Sequence, residues 1–317
     1  MGKRSRVKAR SSNAGGETTP RVEGEVGPRE PCPCGSGRRY KACHGSPGGA
    51  PAVWSARPFA GLSGECDLIA MREFVPAATA SVRMKGSDRE VLLCTLLPGA
   101  APALVREDGA VWLGLQVQHA YGDPSRDLAA VLEAALDTEP GNLVGLSADP
   151  GDGPRLQDLV EGDLDVTVYD GFGFWADDVD DADGSVAAAL EQANAVAAPT
   201  ARLAGVEAAY WTSLGEREFL RWVRPEAEDE LLDALARLHA AREDHLVDGA
   251  RLIGMFRAHG VLAPVWDVPA GTGPDALIDP VAAFDRRLAE TLADIRPLHT
   301  AERAARAGLT SRQLTIR

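Results

Sequence analysis

Four candidate metal donors crowd into thirteen residues: Cys32, Cys34, Cys43 and His44, in the run Cys32-Pro33-Cys34-Gly35-Ser36-Gly37-Arg38-Arg39-Tyr40-Lys41-Ala42-Cys43-His44. No other feature restricts this chain as tightly. A segment this small and this poor in apolar side chains cannot fold by burial alone, so metal binding would have to supply its folding energy. Thiolate sulfur and imidazole nitrogen are the donors Zn²⁺ prefers, and four of them close a tetrahedral structural site with no position left for substrate. Gly35 and Gly37 allow the positive φ of a tight turn, from which backbone N–H groups can point at the sulfurs. Three thiolates and one neutral imidazole around Zn²⁺ carry a net charge of about −1. Arg38, Arg39 and Lys41 can balance it, and Tyr40 adds an apolar plate. These four are the candidate partner-docking residues. A disulfide would leave the histidine without a role, and the pattern suits a reducing compartment.

Charge is distributed unevenly around this cluster. Residues 1–45 hold ten Lys and Arg against four Glu, or +6, which leaves −20 for the rest of a chain whose net charge is −14. Phosphate contacts need clustered Lys and Arg, so nucleic acid is not expected on the acidic body. Residues 1–30 lack large apolar side chains and read as a disordered basic tail. The N-terminus is not followed by an apolar stretch of the kind a signal peptide needs. The longest apolar run, near residues 91–105, is interrupted by Pro98 and Pro102 and is too short to cross a bilayer. A cytoplasmic protein without a membrane span is therefore expected.

The stretch Pro31-Cys-Pro-Cys-Gly-Ser-Gly-Arg-Arg-Tyr-Lys-Ala-Cys-His-Gly45 resembles the SEC-C motif, known from the C-terminal zinc tail of the preprotein translocase motor SecA. The resemblance implies zinc on Cys32, Cys34, Cys43 and His44, and docking on a protein partner such as a chaperone, or on the ribosome, through residues 1–45. It does not imply a translocase, because the chain has no Gly-x-x-x-x-Gly-Lys-Ser/Thr phosphate loop. Beyond residue 45 the chain resembles an uncharacterised actinobacterial family that couples a SEC-C head to a body of unknown function. The likeness runs through Arg57-Pro-Phe-Ala-Gly-Leu62, Gly64-Glu-Cys-Asp67, Val75-Pro-Ala-Ala-Thr-Ala80 and Gly114-Leu-Gln-Val-Gln118. It implies no activity.

The expected organisation is a tail (1–30), a zinc knuckle (31–45), a Pro- and Gly-rich linker (46–58) and an acidic α+β body (59–317) with a mixed or antiparallel sheet and several helices. Residues 91–97 read as a strand buried on both faces. Residues 103–106 and 111–118 read as a hairpin turning at Asp108-Gly109. Asp123-Pro124 should start a helix running to about Asp137, with Asp as cap and Pro in the first turn. Residues 164–169 alternate as a strand. Helices are expected over 187–196, 226–242, 248–259 (ending at Gly260), from Asp279-Pro280, and over 301–307 (stopping at Gly308). Residues 313–317 read as a closing strand.

Few residues of the body invite chemistry. The acidic run 177–183 fails the register of a calcium loop and reads as a solvated loop. Asp170-Gly171-Phe172-Gly173 lacks the third glycine of a dinucleotide site and reads as a turn before a core Trp175. Cys94 reads as core. Cys66 has no histidine paired with it by sequence, so catalysis there is not assigned. His239 and Glu243 are spaced as a surface contact on one helix. The tryptophans lack basic interleaving and read as packing residues. The leading expectation is a non-enzymatic adaptor with structural Zn²⁺ in its knuckle. The alternative is an enzyme of unknown class whose site gathers Asp163, Asp165, Asp170 and Cys66.

Overall fold

The computed structural model describes residues 29, 39–42, 55–87, 89–117, 122–146, 150–176, 184–312 and 314. The chain divides into two compact units, Met1–Ala52 and Val53–Arg317. In the first, the described residues hold one 3₁₀ turn, Tyr40–Ala42. The second is α+β, with helices and two sheets, one mixed and one antiparallel. No helix among the described residues is long and apolar enough to cross a membrane.

The second unit opens with helix α1 (Glu65–Glu73), strands β1 (Ala78–Met84), β2 (Glu90–Cys94), β3 (Ala103–Val105) and β4 (Val111–Gly114), and helix α2 (Pro124–Leu136). Strand β5 (Leu143–Val144), helix α3 (Leu156–Leu159), strand β6 (Val160–Val168) and helix α4 (Ser185–Asn194) follow. The six strands form one sheet in the order β5-β3-β4-β2-β1-β6. The β3–β4 hairpin forms where Asp108-Gly109 places it. Gly109 has φ 84° and the Ala110 N–H donates to Asp108 Oδ1 at 2.8 Å. Strand β2 runs parallel to β4 and antiparallel to β1, so it is interior to the sheet, as its unbroken apolar run requires. Helix α2 starts as its sequence signals, with the Asp123 carboxylate accepting from the Ser125 N–H and Pro124 in the first turn.

The second half adds strands β7 (Thr200–Arg202), β8 (Ala209–Leu214) and β9 (Arg217–Trp222), helix α5 (Glu228–Ala241), strands β10 (Arg251–Ala258) and β11 (Val261–Val268), and helices α6 (Ile278–Leu292) and α7 (Thr300–Ser311). Its five strands pair antiparallel in the order β10-β11-β9-β8-β7. Residues 248–259 were expected to be helical; instead they lead into β10. Leu252, Met255 and Phe256 sit at helix-like spacing, but β10 pairs with β11 from Arg251↔Asp267 to Ala258↔Val261, with a register shift between Leu252 and Gly254 that spoils the alternation. His259 and Gly260, both at positive φ, make the tight turn between the strands. Gly308 does not stop α7, which continues to Ser311. The expected closing strand lies mostly outside the described residues. The described Leu314 donates its N–H to the Met255 carbonyl at 2.9 Å, and the Met255 N–H donates to the Arg312 carbonyl.

The largest core lies between the two sheets and around α1. It joins Leu68, Ile69 and Met71 of α1, Leu128 and Leu132 of α2, Val91 and Leu93 of β2, and Tyr210, Phe256 and Val265 of the second sheet. A second core lies under α5, α6 and α7, where Trp222, Trp266 and Phe284 meet with ring centroids 5.3–6.4 Å apart. A third covers the other face of the first sheet, where Phe172, Phe174 and Trp175 pack on Cys94 and Leu97 with α4 beside them.

Gly114 has no room for a side chain: a Cβ there would lie 2.6 Å from the Ala101 carbonyl oxygen. Because the obstacle is backbone, Gly114→Ala is expected to cost about 1–3 kcal/mol, measured as a lowered urea midpoint at unchanged m-value.

Candidate functional site

Cys32, Cys34, Cys43, His44 and Arg38 lie outside the described residues. The described part of the knuckle is the turn that leads into Cys43-His44. Arg39 and Lys41 are exposed and Tyr40 is half-buried, so two of the expected docking cations stand at the surface. The donor set itself, three thiols and an imidazole, fits Zn²⁺ by chemistry. No group of three or more His, Cys, Asp or Glu able to hold a metal occurs among the described residues.

In the second unit the polar residues converge on α1. Gly64, at φ 71°, sets the helix start against Leu164 and is followed by Glu65-Cys66-Asp67. Glu65 takes a bidentate contact from Arg57 at 2.8 and 2.9 Å. Asp67, 2% exposed, takes a second bidentate contact from Arg202 at 2.9 and 2.8 Å and accepts the Tyr210 hydroxyl at 2.5 Å. Hydrogen bonding to Asp67 raises the Arg202 guanidinium further above its ordinary value. Burial and the Asp67 charge do the same for the Tyr210 phenol. Both partners are thus held in their protonated forms, donors to one buried carboxylate.

Cys66 lies inside this cluster and is 1% exposed. Burial, aided by the carboxylates of Glu207 and Glu65, pushes its thiol up to about 12. A reactive thiol needs an electropositive and accessible setting. The charges around Cys66 are mostly negative, so the geometry gives it no nucleophilic role. Cys94 is fully buried in β2, as its sequence context indicated, and burial raises its thiol as well.

The other sequence candidates lie on several elements. Asp163 and Asp165 are exposed along β6, and Asp163 accepts from the Ser63 hydroxyl at 2.6 Å. Asp163 also borders a shallow groove of about 370 Å³ with Arg83, Glu90 and Glu161, where the β1–β6 register shifts. Asp170 is exposed in the turn between the end of β6 and Trp175. That turn is held by the Phe172 N–H donating to Asn194 Oδ1 at 2.8 Å, and a Cβ at Gly171 would meet the same oxygen at 2.4 Å. The acidic run 177–183 lies outside the described residues. His239 does not pair with Glu243: α5 ends at Ala241, Arg242 adopts φ 62°, and the turned chain brings Asp244 to His239 Nδ1 at 2.6 Å. Trp175, Trp222 and Trp266 are buried, whereas Trp112 and Trp211 are half-buried beside the cores, which fits packing.

Sequence reasoning missed the polar fastening of α1 because its partners are remote. Arg202 lies 135 residues from Asp67 and Tyr210 lies 143 away. The one local signal is the spacing of acidic residues in Gly64-Glu-Cys-Asp67, two carboxylates flanking a small residue at a glycine-led helix start.

Three outcomes are expected. Asp67→Ala leaves a partly buried guanidinium and a buried phenol without their acceptor, and should cost about 3–5 kcal/mol in chemical denaturation. Tyr210→Phe, which removes a single donor, should cost about 1–3 kcal/mol, the penalty of an acceptor left short of one partner. In the folded chain Cys66 should resist iodoacetamide at about pH 8 while denatured chain is labelled, as read by peptide-resolved mass spectrometry. Rapid labelling of the native thiol would contradict the burial described above.

With the geometry established, comparison with known proteins places the two parts of the chain. Residues 29–46 match the SEC-C motif. The same segment is 51% identical over 41 residues to the protein translocase subunit SecA of Herpetosiphon aurantiacus, covering 12% of this chain and 4% of that protein. It is 58% identical over 31 residues to SecA of Rubrobacter xylanophilus and 60% identical over 30 residues to SecA of Legionella pneumophila, each covering 10% of this chain and 3% of the relative. The chain therefore spans only a few per cent of the length of these curated relatives, and the likeness is confined to that segment. No solved structure matches the chain. Residues 58–317, which include the fastened helix and both sheets, match a family of unknown function, DUF5926, and the chain belongs to that family.

Proposed function

We propose that this protein is a cytoplasmic zinc-binding adaptor whose knuckle docks a protein or ribosomal partner, with the acidic body as the part that is brought to it. One observation carries the reading: the four-donor set Cys32, Cys34, Cys43 and His44 is complete within a segment up to 60% identical to SecA tails. A four-donor tetrahedral site is structural, so its product is a fixed surface rather than an open metal position. On that surface Arg38, Arg39 and Lys41 supply charge and Tyr40 a flat apolar face, a composition suited to an anionic partner. The +6 charge of residues 1–45 would speed encounter with such a partner, including the RNA-rich surface of a ribosome.

The test uses the full-length chain and two variants. Metal analysis should find about one zinc per chain in the native protein and far less in Cys32→Ser. A combined Arg38→Ala, Arg39→Ala and Lys41→Ala variant should keep its zinc but lose co-sedimentation with ribosomes or recovery of a protein partner. Zinc content unchanged in Cys32→Ser would refute the ligand assignment. Unchanged association by the triple variant would refute the docking face while leaving the metal site standing.

A further inference from the structure

Nearly every partly buried arginine of the body is matched to a carboxylate. Arg57 pairs with Glu65, Arg202 with Asp67, Arg224 with Glu226 and Asp285, and Arg237 with Glu302. Arg221 differs. It sits on β9, the central strand of the second sheet, directly opposite Tyr210 of β8 and Val265 of β11. Residues opposite one another in an antiparallel pair point to the same face, so Arg221 projects toward the core between the two sheets, to which Tyr210 and Val265 belong. It is half-buried, and its guanidinium lies 5.5 Å from the centroid of the Phe74 ring. Among the described residues no carboxylate, carbonyl or hydroxyl oxygen pairs with it, although the chain has 47 acidic residues against 33 basic ones. Burial holds its guanidinium below the ordinary arginine value.

A half-buried cation facing an aromatic ring and lacking an anion is costly to keep. Its neighbours limit what could complete it. Arg217 and Arg251 are both turned to Asp267, and Arg202 is spent on Asp67, so no second free cation stands beside it among the described residues. A doubly charged phosphate would be left under-neutralised. Phe74, Phe219 and Val265 supply an apolar setting on the same side. We propose that Arg221 is the anchor of a binding site for a monocarboxylate with an apolar body. The planar guanidinium would take the carboxylate through two parallel N–H···O bonds, and the apolar part would lie along the inter-sheet surface.

This inference is independent of the knuckle, and so is its test. Benzoate and octanoate are titrated into full-length protein, with benzamide and inorganic phosphate as comparison arms. Both acids should raise Tm in a dose-dependent way, since a ligand that binds only the folded state stabilises it. Benzamide and phosphate should not. Arg221→Met should abolish the response while melting at or above the native Tm without ligand, because an apolar side chain of similar length no longer buries an unpaired charge. If Arg221→Met does not fold, amide NMR of the native chain decides. Saturable shifts at Tyr210, Phe219 and Val265 on adding benzoate are expected, and their absence overturns the site. The proposal also fails if neither acid shifts Tm, if phosphate matches benzoate, or if the response persists in Arg221→Met. A lower Tm for that variant together with no benzoate effect would assign Arg221 a packing role on Phe74 only.

Discussion

The fold depends on how α1 is fastened at both ends. At its start, Asp67 holds Arg202 of β7 and Tyr210 of β8, so the second sheet is tied to a helix that belongs to the first. At its end, Gln116 donates to the carbonyls of Met71 and Val75 at 2.7 Å each, and Arg72 donates to the Leu115 carbonyl at 2.5 Å. The Met71 carbonyl is one that the helix C-terminus leaves without a partner, and the other two contacts tie the chain on either side of it. Phe74, just past the helix, then meets Tyr210 and Phe256 edge-to-face at 5.9 and 5.5 Å. Without the Asp67 contact, burying Tyr210 between the sheets would strand its hydroxyl, and the shared core could not close around it.

This arrangement explains the runs that stand out in the sequence without suggesting chemistry. Arg57-Pro-Phe-Ala-Gly-Leu62 places Arg57 on Glu65, and puts the Phe59 ring 5.2 Å from that of His259. In Val75-Pro-Ala-Ala-Thr-Ala80, the Pro76 carbonyl accepts the Thr95 hydroxyl, whose oxygen accepts the Ala78 N–H. In Gly114-Leu-Gln-Val-Gln118 strand β4 ends at Gly114, the Leu115 and Gln116 N–H groups still donate to the Cys94 and Thr95 carbonyls, and the Gln116 side chain reaches α1. The sequence reading extended that strand to 118 because Leu115 and Val117 kept the alternation. Alternation reports which faces can be buried, not where pairing stops. Hairpin β3–β4 and helices α2 and α6 were legible because their signals are local: a turn dipeptide and two Asp-Pro starts. Helix α1, with Arg202 of β7 and Tyr210 of β8, was not, since polar residues occupy the key positions and the partners that justify them lie more than a hundred residues away.

The body's acidity is likewise less free than its net charge suggests. Glu218 is buried on β9, where burial alone would raise its carboxyl. The N–H groups of Gly273, the Trp211 indole and Gly271 reverse that and hold it below the usual range. Glu73 follows the same logic: burial opposes ionisation, but the His259 hydrogen bond and charge, with Arg72, hold its pKa down. A carboxylate whose folded pKa is lowered contributes stability that is present above its ordinary pKa and is lost as pH falls through the folded value. Both groups therefore fasten loops at neutral pH. Glu218 secures the turn after β11, and Glu73 secures the β10–β11 turn at His259. Acidification would release both turns.

Such thorough pairing changes what an unpaired charge means. On a loosely organised surface a lone arginine carries no information, because solvent satisfies it. In this body the buried carboxylates of Glu65, Asp67 and Glu218 receive matched donors, and guanidiniums that cross between elements, such as Arg202, Arg224 and Arg237, end on carboxylates. Arg202 and Arg221 point toward the same inter-sheet core, on strands that flank β8, and Tyr210 lies opposite both. One of them meets Asp67 and ties the two sheets together. The other meets only the Phe74 ring, whose attraction for a cation is about 0.5–2 kcal/mol. That strand position is half-buried, open on one side to what the core does not supply. Packing gives no reason to keep a charge there, since a long apolar side chain would fill the same space at lower cost, and a carboxylate arriving from outside would restore the balance that Asp67 provides for Arg202.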